Sequence, residues 1–77
     1  MDKAQAITIL SEATAETLLS VQVLALATGI PKSTIYSWTR DDLLRHFQSR
    51  EKGVLRIFKR DWDEFIQNHM KGPAAQN

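Results

Sequence analysis

A chain of 77 residues can bury one small core, so a single domain is expected. It has no cysteine, which removes disulfide staples and thiolate zinc sites, and His46 and His69 lack metal-ligand spacing, so neither metal nor other cofactor is expected. The net charge is only +1, yet Lys32, Arg40, Arg45, Arg50, Lys52, Arg56, Lys59 and Arg60 crowd the middle of the chain against Asp41, Asp42 and Glu51, a concentration suited to phosphate.

Residues 1–17 are rich in Ala, Thr, Ile and Glu. Ala6, Ile9, Leu10 and Ala13 are predicted to line one side of a helix that the threonines weaken, so a leader or an extra helix is expected ahead of a domain at residues 18–71. Ser20 is suited to cap a helix starting at Val21, because its hydroxyl can accept an otherwise unpaired backbone N–H. Val23, Leu24 and Ala27 form the apolar stripe of that helix, with the small Ala25 beside it to admit a close neighbour. Gly29 supplies left-handed backbone where one helix stops and the next departs steeply. Pro31 then fits the first turn of a second helix, in which Ile35 and Trp38 recur on the apolar side. Two short helices about a tight turn, the second ending in small polar and basic side chains, suit a DNA major groove.

Asp41 and Asp42 break the helical pattern. His46-Phe47-Gln48 and Val54-Leu55-Arg56-Ile57 have strand character, and the polar link at 49–53 between them is predicted to turn as the tip of a small wing. Two strands alone are marginal in water, so this hairpin is expected to lean on the helices. A helical period returns from about Lys59 to Met70, with Trp62, Phe65 and Ile66 on one face and Asp61, Asp63 and Glu64 in the early turns, where negative charge complements the helix dipole. Gly72-Pro73 ends it, leaving 72–77 as a flexible tail. Ile35, Trp38, Phe47, Trp62 and Phe65 are expected in the core, at a spacing that disfavours a cofactor site or a single-strand stacking surface.

Three segments together resemble the excisionase-type, MerR-like winged helix-turn-helix family. Leu18-Leu19-Ser20 with Val23 and Ala25 looks like its opening LLTxxEVAxxLG stretch. Gly29 to Tyr36 is similar to its GVSxSTVY recognition-helix start, and Arg56-Ile57 through Asp61 to Ile66 to its RIxxxDLxxFI ending. Pro31 stands where an N-cap Ser or Thr is usual, Val23 where an acidic residue is usual, and the wing tip is long. The resemblance implies a mainly α fold with a small β-hairpin, and a small sequence-specific binder of double-stranded DNA. It further implies one of two roles. The first is an excisionase (a recombination directionality factor of a mobile genetic element) whose copies bind side by side and bend DNA for an integrase; the second is a small transcription regulator. The bare domain, with no effector segment, favours the first.

On this reading Lys32, Ser33 and Tyr36 meet base edges or nearby phosphates, Ser37 reads bases further in, and Thr34 and Arg40 grip phosphates from the helix ends. Arg50 and Lys52 at the wing tip reach the minor groove or its phosphates, and Arg56 grips phosphate from its strand. The plain alternative for each is a solvated surface, favoured at the tip by Glu51 between the two cations. Lys59 and Arg60 precede a helix, where positive charge suits the dipole least, so they are expected either to pair with Asp63 or Glu64 or to serve outside the fold. No nucleophile stands beside a base and no Gly-rich phosphate loop is present, so an enzyme is not expected. A rival of another class is a protein-interaction adaptor that holds its partner through residues 1–17 or the acidic last helix. No stretch approaches the roughly 20 apolar residues of a membrane span, and the first residues lack a signal pattern. A cytoplasmic, nucleoid-associated protein is the expectation.

Overall fold

The computed structural model describes residues 1–48 and 54–69. The predicted wing tip, with Arg50 and Lys52, and the predicted tail at 72–77 lie outside the described residues.

A reciprocal cap starts the first helix, α1 (Lys3–Glu12), in spite of its threonines. Asp2 Oδ1 accepts from the Gln5 N–H at 2.9 Å, and the Asp2 N–H donates to Gln5 Oε1 at 3.1 Å. The helix lays a fully buried Ala6 on the core, with Leu10 and Ala13 packed against its edge. Ile9, expected on the same side, is exposed. At about 3.6 residues per turn, a helix centred on Ala6 and Leu10 swings the ninth position outward.

The hairpin forms from β2 (Phe47–Gln48) and β3 (Leu55–Phe58), and a further strand that the sequence did not suggest, β1 (Leu18–Ser20), pairs antiparallel with β3 from the other side. The sheet order is β1-β3-β2. Leu19 faces Ile57 across the ladder and both are buried, whereas Leu18 opposite Phe58 and Ser20 opposite Arg56 take the outer face. This third strand gives the hairpin the support that two strands lack. Phe47, expected in the core, is instead 52% exposed. Its register partner is Arg56, one position from the inward-facing Ile57, and a one-residue offset sends a side chain to the opposite face.

Ser20 ends β1 and caps α2 (Val21–Thr28), its Oγ accepting from the Val23 N–H at 3.1 Å. Val21, Val23 and Leu24 are buried, and Ala25 and Ala27 pack against the cluster. Gly29 takes φ +81° and donates its N–H to the Ala25 carbonyl at 2.8 Å, the left-handed stop expected there. Thr28 Oγ1 accepts from the Ile30 N–H, and α3 (Lys32–Arg40) sets off with Pro31 as its N-cap residue. The Pro31 carbonyl accepts from the N–H groups of Thr34 and Ile35. At the other end Asp42 holds φ +59°, a conformation Asp tolerates better than most residues, and the Trp38 carbonyl accepts from the N–H groups of Leu43 and Leu44. That turn drives Leu44 into the core beneath α3.

The last helix, α4 (Lys59–His69), completes the support. Its opening N–H groups, at Lys59 and Arg60, donate to the carbonyls of Thr17 and Ala15 at 2.8 and 3.2 Å, so donors that a helix start leaves unpaired are satisfied by the segment before β1. Lys59 pairs with Asp63 at 2.7 Å. Arg60 pairs with Glu16 at 2.9 Å rather than with α4 itself, and its guanidinium lies 4.3 Å from the centre of the Phe58 ring. Such surface interactions are worth at most about 1 kcal/mol each. The larger anchor is aromatic: Trp38 on α3 lies 4.7 Å from Phe65 and 6.4 Å from Trp62, ring centre to ring centre. The architecture is mainly helical: in the chain the helix–turn–helix pair α2–α3 lies between β1 and the β2–β3 hairpin of one small antiparallel sheet, and α4 follows.

Candidate nucleic-acid interface

Two sides of α3 do different jobs. Ile35 and Thr39 are buried and Trp38 packs against the core, while Lys32, Ser33, Tyr36 and Arg40 are exposed along the opposite side. The exposed set falls at i, i+1, i+4 and i+8, one face of a helix. Ser37 belongs to the same face and is half-buried; Thr34 is half-buried on the flank. Thr39 is the one buried polar side chain among the described residues, and its Oγ1 donates to the Tyr36 carbonyl at 2.8 Å, so it carries no unmet demand into the core.

Arg56 sits half-buried in the central strand of the sheet, in register with Ser20 on one side and Phe47 on the other. One of its guanidinium N–H groups donates to the Leu55 carbonyl at 3.0 Å, which leaves the remaining donors of the fork for a ligand. Between α2, α3 and β3 runs a groove of about 380 Å³ lined by Ser20, Val21, Gln22, Lys32, Tyr36, Val54, Leu55 and Arg56. It brings Lys32 and Tyr36 of the helix together with Arg56 of the wing strand. Ser33, Thr34, Ser37 and Arg40 do not line it.

Gln22 was not singled out from the sequence. It is exposed at the start of α2, facing that same groove. The signal was present as the single polar residue in the run Val21 to Ala27, where an otherwise apolar helix start has no packing use for an amide.

Charge separates this groove from those elsewhere. Among the described residues it is lined by two cations and no carboxylate. The groove beside β2 mixes Arg45 and Arg60 with Asp42 and Asp61, and that between α1 and α4 includes the Lys59–Asp63 pair. Met1, ahead of α1, and Ile7 and Ile9 within it are exposed. Among the described residues no three His, Cys, Asp or Glu side chains gather as metal ligands, and no helix is long and apolar enough to cross a membrane.

A family model described as a helix-turn-helix domain matches residues 18–70, from the first residue of β1 to just beyond α4. No curated protein matches the chain. No solved structure matches it either.

Proposed function

Because the chain belongs to the helix-turn-helix domain family and is thereby a small DNA-binding protein, we propose that α3 is its recognition helix and that it acts as an excisionase. The observation that carries the reading is the two-sided α3: a packed Ile35–Trp38–Thr39 side holds the helix rigid while Lys32, Ser33, Tyr36 and Arg40 stand clear of the body. A rigid helix of this width enters the major groove, where donors and acceptors on base edges distinguish all four base pairs. Lys32, Ser33 and Tyr36, near its start, meet base edges or the first phosphates, and Ser37 reads further in. Thr34 and Arg40 hold phosphates from the helix flank and end, Arg56 holds one from its strand, and Arg50 and Lys52, outside the described residues, are further candidate phosphate contacts. Side-by-side occupancy by several copies would bend the duplex and present it to an integrase.

Two measurements test this reading together. With four or five cations on phosphates, the log of the duplex binding constant should fall against log salt with a slope of about −4, at roughly 0.9 per cation. Circularly permuted probes should show a position-dependent mobility shift that grows as successive copies load. Discrete binding without bending would replace the excisionase by a small transcription regulator. No salt-dependent duplex binding at all would return the chain to the adaptor reading, with residues 1–17 or the acidic α4 as its surface.

A further inference from the structure

We propose that the groove between α2, α3 and β3 seats a single phosphodiester of the bound duplex, and that Gln22 is a positioning residue for it. The inference rests on the DNA-binding reading above and adds to it a ligand site and a residue outside the recognition helix and wing.

The side chains that converge on the groove match one chemical group. Lys32 and Arg56 bring positive charge; the Gln22 amide and the Tyr36 hydroxyl bring neutral donors; Val54 and Leu55, both half-buried, supply apolar wall. A phosphodiester presents one negative charge on two non-bridging oxygens, each able to accept more than one hydrogen bond, while its flanking sugars are largely apolar. Among the described residues, the side chains of Gln22, Lys32 and Tyr36 make no hydrogen bond or ion pair, so their donors are available to a ligand. A charged, donor-rich hollow with no carboxylate among its described lining residues suits an anion.

The placement of these groups bears on register. Lys32 and Tyr36 lie one turn apart on α3, Gln22 belongs to α2 and Arg56 to the sheet. A phosphate held by all three elements ties the recognition helix and the wing to the same point of the backbone, and so sets how deeply α3 enters the groove. Gln22 contributes geometry without charge. That separates it experimentally from the cations around it.

The experiment scans a bound duplex with single methylphosphonate substitutions, each removing one backbone charge, against the full chain and its variants. In wild type, one position facing the groove should weaken binding about tenfold. Gln22→Ala should lower affinity for the native duplex about tenfold, leave the salt slope unchanged, and shrink the methylphosphonate penalty at that one position. Gln22→Glu, which brings a carboxylate to the phosphate, should weaken binding further than Gln22→Ala. Lys32→Ala should reduce the slope by roughly 0.9, the effect of taking one cation off the phosphates. Far-UV circular dichroism and thermal melting should be unchanged for both Gln22 variants, since that side chain is exposed. If wild type binds duplex with the expected salt dependence but no single backbone position facing the groove is sensitive, the seat is wrong. If that position is sensitive but Gln22→Ala leaves affinity and map unchanged, the role of Gln22 is wrong. In both cases the DNA-binding reading survives. If wild type shows no salt-dependent duplex binding, both are wrong.

Discussion

Replacing Trp62 by Ala should lower the unfolding free energy by about 3–5 kcal/mol, the usual cost of emptying a buried aromatic position. Trp62 is 3% exposed and stands beside Trp38, so the cavity would open directly under α3. Domains of this size hold only about 4–12 kcal/mol in total, and a loss of that order leaves a chain with little margin or none. The expected measurements are a urea midpoint displaced to a far lower concentration, or a melt with no cooperative transition at 37 °C, accompanied by loss of duplex binding. A Trp62→Ala chain that melted like wild type would mean that the aromatic cluster does not hold α3 in place.

The second large effect separates surface from core. Lys32→Ala combined with Arg40→Ala should weaken duplex binding about a hundredfold, on the basis of about 1.5 kcal/mol for each charge-assisted hydrogen bond to phosphate that disappears. The same double variant should flatten the salt slope by nearly 2, at roughly 0.9 per cation. Both residues are exposed at opposite ends of α3, and neither takes part in an ion pair among the described residues. The melting temperature should therefore move little. Unchanged affinity would remove α3 from the interface, whereas weakened binding with a collapsed melt would reveal a structural role that their exposure argues against.

The parts of this fold legible in the sequence are those governed by local chemistry. Ser20 caps α2, Gly29 turns left-handed, and the spacing of Ile35 and Trp38 marks the inner side of α3, because each depends on neighbours within a few positions. The start of α4 at Lys59 and its Trp62–Phe65 face were readable for the same reason. What escaped depends on partners far along the chain. β1 is three residues long and exists as a strand only because Leu19 meets Ile57 across the ladder. Phe47 looks like a core residue by type, and only the register of β2 against β3 places it outside. Arg60 finds Glu16, at the far end of the sheet connection, and not the neighbours on its own helix.

The candidate interface divides along the same line. Lys32, Ser33, Tyr36 and Arg40 could be named because helical period alone assigns them to one face. The groove that brings Gln22 and Arg56 to Lys32 and Tyr36 could not be read, since it needs three elements assembled at once. Its cations were visible in the sequence as part of a basic middle segment, but their convergence was not.

The most direct test of the recognition-helix assignment is to follow backbone amide resonances of the labelled chain while a short duplex carrying its site is added. Shifts and line broadening should concentrate on residues 32–40, with Gln22 and Arg56 moving alongside them and α1 remaining still. Changes confined to α1 or to the outer side of α4, with residues 32–40 unmoved, would contradict the assignment.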